Sequence, residues 1–271
     1  MPDLWMPGAE RLDIGDHAPT DGGPAKAIAH ITWDKNATAA SPVKLVPYEN
    51  LRSYFSGGGA SVAPHILWDP WTGRISQFVP ANSRSKSVVD LQGGTRTNRA
   101  GSVVIQVEAL FFPYCKTTDG KVWAKLSDTP CKGWAELHAW IKSWGVPDTW
   151  PMGRPTDFTS HRSESVWETK AGWYAHAHVP ENDHTDPGSW PAFPTSTPVI
   201  EEDPMAGITK QDVTDAVWKA AVAAPDTAPD KKTNPTWWAA SYLRAIYGSI
   251  TTLRDDVAKL RAEVADIKKG A

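Results

Sequence analysis

The sequence predicts an α/β fold in which a central mixed β-sheet is flanked by helices, followed by a C-terminal helical coiled-coil tail. Apolar runs of strand type, such as GSVVIQVEALF at 101–111, predict the sheet, and an amphipathic pattern at 133–145 predicts a helix that packs on it. A seven-residue apolar repeat over 243–267 predicts the tail. The 271 residues are enough for one sizeable domain and an accessory region.

The elements of the first domain follow from local patterns, taken in chain order. Residues 1–24 are rich in Gly, Pro and Asp and are predicted to be irregular. The apolar run AKAIAHITW at 25–33 predicts a strand, and YENLRSYF at 48–55 predicts a short helix with one apolar face. Two apolar runs separated by a Pro-Trp-Thr-Gly turn predict a hairpin over 63–80. The run at 101–111 is the most apolar and predicts a buried central strand.

The segment GWAELHAWIKSWG at 133–145 has the spacing of an amphipathic helix. Its large apolar residues recur at i, i+3, i+4 and i+7, and Gly145 suits the end of a helix. The residues on the apolar face are Leu137, Trp140, Ile141 and Trp144. We therefore expect this helix to pack on the sheet.

The composition changes at the end of the first domain, which is predicted to span 25–192. A linker rich in Pro, Thr and acidic residues is predicted at 193–207. A helical accessory region is predicted at 208–271, beginning with a helix at 208–224 and ending in the coiled coil at 243–267.

The apolar residues of the coiled-coil segment alternate steps of three and four residues, as the a and d positions of a heptad do. In a parallel dimer, Asp256 would pair with Arg261 and Glu263 with Lys268, and both pairs are attractive. The pattern predicts a homodimer or higher oligomer; a single amphipathic helix packed on its own domain is the alternative. The a residues are Leu243, Ile250, Val257 and Val264, and the d residues are Ile246, Leu253, Leu260 and Ile267.

Charge and hydropathy exclude several classes of partner. The net charge of −3 provides no general attraction to nucleic acid, and no apolar run is long enough to insert into a membrane. The N-terminal residues have no basic segment followed by an apolar one, so no signal peptide is expected. The two cysteines, Cys115 and Cys131, are either two separate thiols or one disulfide.

The loop HAHVPENDHTDPG at 176–188 gathers three histidines and two aspartates in a stretch too rich in proline to form a helix. A catalytic zinc needs three protein ligands and leaves its fourth position for water. Two ligands from this loop are feasible, but three from one short loop would be crowded. The third is expected from a neighbouring strand, and His30 is the candidate.

Four segments resemble, in order and spacing, the zinc-dependent N-acetylmuramoyl-L-alanine amidases, a family that includes phage endolysins and peptidoglycan-recognition proteins. They are AIAHITW, APHILWDPWTGRISQFVP, GSVVIQVE and HAHVPENDHTDPG. The resemblance covers about 25–192 and looks most like endolysins of phages that infect actinobacteria. It implies the sheet and flanking helices of that family, and hydrolysis of the amide between N-acetylmuramic acid and L-alanine in peptidoglycan.

Carried onto this sequence, the resemblance also implies a set of site residues. His30, His176 and Asp186 match the ligands of the Zn²⁺ cofactor. Glu108 matches an acidic residue that orients or deprotonates the zinc water in some members. His184 matches the position of a basic catalytic residue that is often Lys.

Two positions depart from the family pattern. His178 stands where many relatives carry Asp, and it lies eight residues before Asp186, a spacing that some shorter relatives use. It is therefore the alternative to His176 as a ligand. At position 184 this sequence has a histidine, a residue type with an ordinary pKa of about 6.5, whereas lysine stays charged near neutrality.

The function implied by the resemblance is that of a phage endolysin, an antimicrobial hydrolase that lyses the host cell wall. We expect such a protein in the host cytoplasm, from which it reaches the wall after holin-type release. The alternative is a non-catalytic peptidoglycan-binding module or a virion-associated structural protein. A polymeric substrate requires an open groove, and Trp68, Trp71 and Trp173 are candidates to line it.

Overall fold

The computed structural model describes most of the first 195 residues and three short stretches beyond them. The chain divides into two compact units, Met1–Pro198 and Val199–Ala271. The described residues are 2–32, 36–195, 221–223, 236–238 and 249–261.

The first unit contains a six-stranded sheet and a three-stranded sheet. In chain order the strands are β1 (Glu10–Arg11), β2 (Lys26–Ile31), β3 (Val43–Lys44), β4 (Ile66–Trp68), β5 (Ile75–Gln77), β6 (Val104–Ala109), β7 (Cys115–Lys116), β8 (Val122–Trp123) and β9 (Gly172–Ala175). The large sheet has the order β1-β5-β4-β6-β2-β9, and the small one has the order β3-β7-β8. All pairings in the large sheet are parallel except that of β4 with β5. The predicted α/β fold with a central mixed sheet is thus confirmed.

The two central strands, β2 and β6, read as nearly continuous apolar runs because both faces of the sheet are covered. All six residues of β2 are buried, and in β6 only Glu108 is partly exposed. The parallel register pairs His30 of β2 with Glu108 of β6. This pairing brings two predicted site residues side by side near the ends of neighbouring strands.

The hairpin predicted over 63–80 is present as the antiparallel pair β4 and β5. Its turn is held by Asp69, whose Oδ1 accepts a hydrogen bond from the backbone N–H of Trp71 at 2.9 Å. Gly73 adopts a φ of +82° in the same turn, a conformation that favours glycine. Local turn chemistry therefore sets the register of this pair.

Two predicted helices are present in the first unit. Helix α1 (Tyr48–Phe55) coincides with the segment predicted at 48–55, and α2 (Trp134–Ser143) lies within the segment predicted at 133–145. Gly145 follows α2 with a φ of +86°, as expected at a helix end. A third helix, α3 (Glu164–Thr169), was not predicted.

A cluster of tryptophans fills the core on one face of the large sheet. Ring centroids lie 5.7 Å apart for Trp68 and Trp134, and 5.3 Å apart for Trp134 and Trp173. Trp190 packs against the same rings. The prediction that Trp68 and Trp173 line a substrate groove is wrong, because both side chains are fully buried. Their large apolar area is used for packing instead.

The described N-terminal residues, 2–24, are mostly irregular but pack closely on the sheet. The backbone N–H of Met6 donates to Oε1 of Gln77 at 2.6 Å, and β1 adds to the sheet beside β5. The indole of Trp140 in α2 donates to the carbonyl of Asp3 at 2.8 Å. These contacts join the segment to both the sheet edge and a helix.

Both cysteines are free thiols. Cys115 is buried, and burial raises the pKa of its thiol to about 11. Of the two arrangements that the sequence allows, the structure has two separate thiols.

In the second unit, Ala221–Ala223 and Thr236–Trp238 form an antiparallel pair of strands, β10 and β11. The helix predicted over 208–224 is therefore wrong at its C-terminal end, where pairing with Thr236–Trp238 overrides the high helix propensity of alanine. Residues 249–261 are helical and cover the middle of the predicted coiled coil. The remainder of that coiled coil and residues 196–207 of the predicted linker lie outside the described residues. No helix among the described residues is long and apolar enough to cross a bilayer.

Candidate metal centre

Three segments bring the candidate ligands to one edge of the large sheet. His30 lies near the end of β2, and the neighbouring strand β9 leads directly into a 3₁₀ turn, His176–His178. Asp186 follows on the next loop, where its Oδ2 accepts a hydrogen bond from the backbone N–H of Ile31 at 3.1 Å. Strands β2 and β9 are parallel, so their carboxyl ends meet at the same edge, where sites commonly form in such sheets.

The glycine of the Asp-Pro-Gly sequence at the end of the loop is required for steric reasons. Gly188 has a φ of +68°, and a Cβ atom built there would lie 2.4 Å from the ring of Phe158. Only glycine avoids both the backbone strain and the contact. The close approach of this turn to Phe158 helps to fix the loop that carries Asp186.

Side-chain atoms of His30, His176 and Asp186 converge within 4.8 Å of one another. The two Nδ1 atoms of the histidines are 3.1 Å apart, and Asp186 Oδ1 is 3.2 Å from His176 Nδ1. His30 Nδ1 is 4.0 Å from Asp186 Oδ2. Two ligands of a tetrahedral zinc with bonds of about 2.1 Å lie about 3.4 Å apart, so this spacing suits such an ion.

Unpartnered polar atoms also fit a metal site. Nε2 of His30 and Oδ1 of Asp186 are buried and lack a hydrogen-bond partner. A buried carboxylate oxygen without a partner is costly unless a cation compensates it. Two imidazoles and a carboxylate are also the donor set of many zinc sites. The residues present therefore fit a divalent metal ion.

The electrostatics favour the protonation states that metal ligands need. Burial lowers the pKa of His30 well below its ordinary value, and the neighbouring His176 lowers it further. Burial alone would raise the pKa of Asp186, but the His176 and His184 imidazoles outweigh it and hold this pKa well below its usual range. A neutral imidazole and an ionised carboxylate are the forms that bind a metal.

Glu108 lines the same cavity as the three candidate ligands, a space of about 310 Å³. Burial raises the pKa of Glu108 well above its ordinary value, and the negative charge of Asp186 raises it further. A divalent cation held by the candidate ligands would act in the opposite direction and favour the carboxylate.

His184 stands at the mouth of this cavity, with 66% of its side chain exposed. Its ring stacks on that of His176, with centroids 4.7 Å apart, and its Nδ1 is 3.6 Å from Asp186 Oδ1. The backbone carbonyl of His184 accepts a hydrogen bond from Arg162 at 2.8 Å. The structure thus brings to one cavity all five residues that the resemblance implies as ligands or catalytic residues.

His178, the alternative ligand, is not part of the cluster. Its Nδ1 accepts a hydrogen bond from the backbone N–H of Ala175 at 3.0 Å, and it lines a separate cavity with His161. A 3₁₀ turn has three residues per turn, so residues two apart point in different directions. The turn therefore directs His176, and not His178, towards His30.

The sequence analysis missed Asn182, which is buried in the same cavity. Its side-chain oxygen lies 3.2 Å from Nε2 of His176. Metal-binding histidines generally have such a partner on their second nitrogen. The spacing in the loop gives no indication of which residue supplies it.

No family model matches the sequence, and no curated protein matches it. Among solved structures, the chain is similar to the Staphylococcus aureus hydrolase AmiA in complex with its ligand, with 15% identity over 68% of this chain and 74% of that one and a TM-score of 0.39. It is also similar to a selenomethionine derivative of AmpD, with 16% identity over 69% of this chain and 92% of that one and a TM-score of 0.39.

Proposed function

We propose that the chain is a zinc-dependent amidase that hydrolyses the amide between N-acetylmuramic acid and L-alanine in peptidoglycan, as an endolysin does. The observation that carries the proposal is the buried cluster of His30, His176 and Asp186, which shares one cavity with Glu108. The motif order along the sequence, which resembles that of the zinc amidases, supports the choice of substrate.

His30, His176 and Asp186 would hold the metal. When bound, zinc polarises a carbonyl group and lowers the pKa of water. The buried Asp186, fixed by the N–H of Ile31, would keep its oxygen in place without side-chain movement. This rigid support favours a site that is formed before substrate arrives.

Glu108 is suited to move the proton. Glu108 lines the cavity beside the three candidate ligands, and a cation held there would favour its ionised form, so Glu108 can accept a proton from the attacking water. The water oxygen adds to the carbonyl carbon, the amide C–N bond breaks, and the amine leaves with the proton that Glu108 returns. His184, at the cavity mouth, can donate a hydrogen bond to the oxygen that gains charge.

A second cavity of about 520 Å³ lies at the start of helix α1 and offers room for an extended substrate. Leu110 in this cavity is two residues beyond Glu108, so both side chains lie on the same side of the extended chain. Helix α1 runs from Tyr48 at the larger cavity to Phe55 at the metal cavity, a span of about 10 Å. We propose that Trp71, which lines the larger cavity, contacts the polymer beyond the bond that is cleaved.

The C-terminal helix supports the proposal of a homodimer. Within 249–261 the seam residues Ile250, Leu253 and Leu260 are 59%, 64% and 59% exposed. Such a row of exposed apolar side chains is a typical contact surface. A second copy of the chain would cover it and pair Asp256 with Arg261. Two catalytic units on one polymer would dissociate from it more slowly than one.

Mass spectrometry of purified peptidoglycan after digestion tests the proposed reaction. We expect free stem peptides with an L-alanine amino terminus and intact glycan chains. An Asp186→Ala variant, which lacks one ligand, should release no stem peptides from the peptidoglycan. Products cleaved within the glycan or between two amino acids would contradict the proposal.

A further inference from the structure

Asn182 connects a candidate metal ligand to the backbone of a distant segment. It is 5% exposed, and its side chain contacts both His176 and Val89. Val89 lies 93 residues earlier in the chain and lines the metal cavity with half of its side chain exposed. Asn182 thus lies between the ligand and a segment that lines the metal cavity.

The hydrogen bonds fix which way the amide of Asn182 points. The backbone N–H of Val89 can only donate, and it lies 2.8 Å from Oδ1. The carbonyls of Val89 and Pro180 can only accept, and they lie 3.3 Å and 2.7 Å from Nδ2. The amide oxygen must therefore be on the side of the Val89 N–H, where the structure has it.

This orientation determines the tautomer of His176. The second lone pair of Asn182 Oδ1 faces His176 Nε2 at 3.2 Å, and an amide oxygen cannot donate. Nε2 must carry the hydrogen, so in the neutral ring Nδ1 presents a lone pair to His30 and Asp186. Asp186 Oδ1, also an acceptor, is only 3.2 Å from that Nδ1. Two acceptors this close need a cation between them.

We infer that Asn182 is a positioning residue that holds His176 in its Nε2-protonated tautomer, with Nδ1 directed at the metal, and that it ties this ligand to the cavity-lining segment at Val89. The inference rests on the metal site of the proposed function but not on the identity of the substrate.

The chain offers a matched control in the neighbouring residue. Oε1 of Glu181 accepts a hydrogen bond from the backbone N–H of Thr95 at 2.6 Å, so Glu181 ties the same two segments together. Among the described residues, no hydrogen bond joins Glu181 to His176. Glu181→Ala therefore loosens the two segments without removing the partner of the imidazole.

Two measurements test the inference. In zinc-loaded full-length protein labelled with ¹⁵N-histidine, long-range ¹H–¹⁵N spectra should show His176 protonated at Nε2. Competition with a chelating dye should show that Asn182→Leu weakens zinc binding about 10- to 100-fold, as is usual for loss of such a partner. Glu181→Ala should bind zinc as the wild type does.

The outcomes separate this inference from the proposed function. If wild-type protein binds no zinc, the metal centre itself is refuted. If the wild type binds zinc but His176 carries its proton on Nδ1, or if Glu181→Ala weakens binding as much as Asn182→Leu, the inference is overturned. The wild-type spectrum decides the question even if Asn182→Leu does not fold.

Discussion

His65 provides a quantitative test of how the sheet beside the metal centre is held together. The side chain is fully buried, its Nε2 donates to the carbonyl of Ser83 at 2.9 Å, and its Nδ1 accepts from the N–H of Gln106 at 3.1 Å. Both ring nitrogens are therefore satisfied only in the neutral form. Burial lowers the pKa of His65 from 6.5 to about 4.

The pKa difference gives the size and direction of the effect. Because the unfolded chain binds a proton on His65 at a higher pH than the folded protein does, acid favours unfolding. The contribution of the neutral His65 side chain to the free energy of unfolding is complete above pH 6.5 and is lost as the pH falls to about 4. At about 1.4 kcal/mol for each pH unit, the loss amounts to about 3 kcal/mol.

The assay compares wild type with His65→Gln, which removes the titration but keeps a donor and an acceptor. The free energy of unfolding is measured by urea denaturation at several pH values between neutrality and pH 4. We expect the variant to be less stable near neutrality, because its hydrogen bonds fit less well. Its disadvantage should shrink by about 3 kcal/mol towards pH 4. All other titrating groups are common to both proteins.

A constant difference between the two proteins across this pH range would refute the reasoning. It would mean that His65 is protonated equally in the folded and unfolded states, and hence that its hydrogen bonds to Ser83 and Gln106 are not those described.

Three further predictions concern the proposed activity and assembly. Glu108→Gln should lower kcat about 10²- to 10⁴-fold while zinc binding persists; loss of zinc instead would make Glu108 a ligand. Trp71→Ala should raise KM for polymeric peptidoglycan with little change in kcat, and an unchanged KM would remove the larger cavity from the substrate path. Leu253→Asp should shift the chain from dimer to monomer in analytical ultracentrifugation, whereas a wild-type monomer would exclude the coiled-coil dimer.

The parts of the fold that the sequence predicts are those governed by local patterns. Helix α1 and the hairpin of β4 and β5 follow from spacing and turn residues within a few positions. Helix α3 has only six residues, too few for a periodic pattern to stand out. Pairing of β1 with β5 depends on chain segments far apart in sequence, and no local rule specifies it.

The tryptophans show why composition alone misleads about a binding groove. Trp68 and Trp173 have the aromatic faces that could stack on a sugar, but their neighbours Trp134 and Trp190 bury them completely. Burial of this kind depends on which faces of several strands meet, which the sequence of any one strand does not reveal.

The candidate site could be predicted as a set of residues but not as an arrangement. Spacing leaves His176 and His178 as alternatives, and only the 3₁₀ turn after β9 separates their directions. Asn182 carries no motif at all, and its contact with Val89 spans 93 positions. A residue that hydrogen-bonds to a metal ligand and is held by a distant segment can be identified only from the folded structure.

The most direct test of the account is calorimetric titration of zinc into metal-free protein, with wild type and Asp186→Ala compared. We expect one zinc ion per chain in the wild type and a loss of that binding in the variant, because Asp186 supplies the only carboxylate of the three-residue cluster in the described part of the chain. Failure of the wild type to bind zinc, or equal binding by both proteins, would contradict the proposed centre.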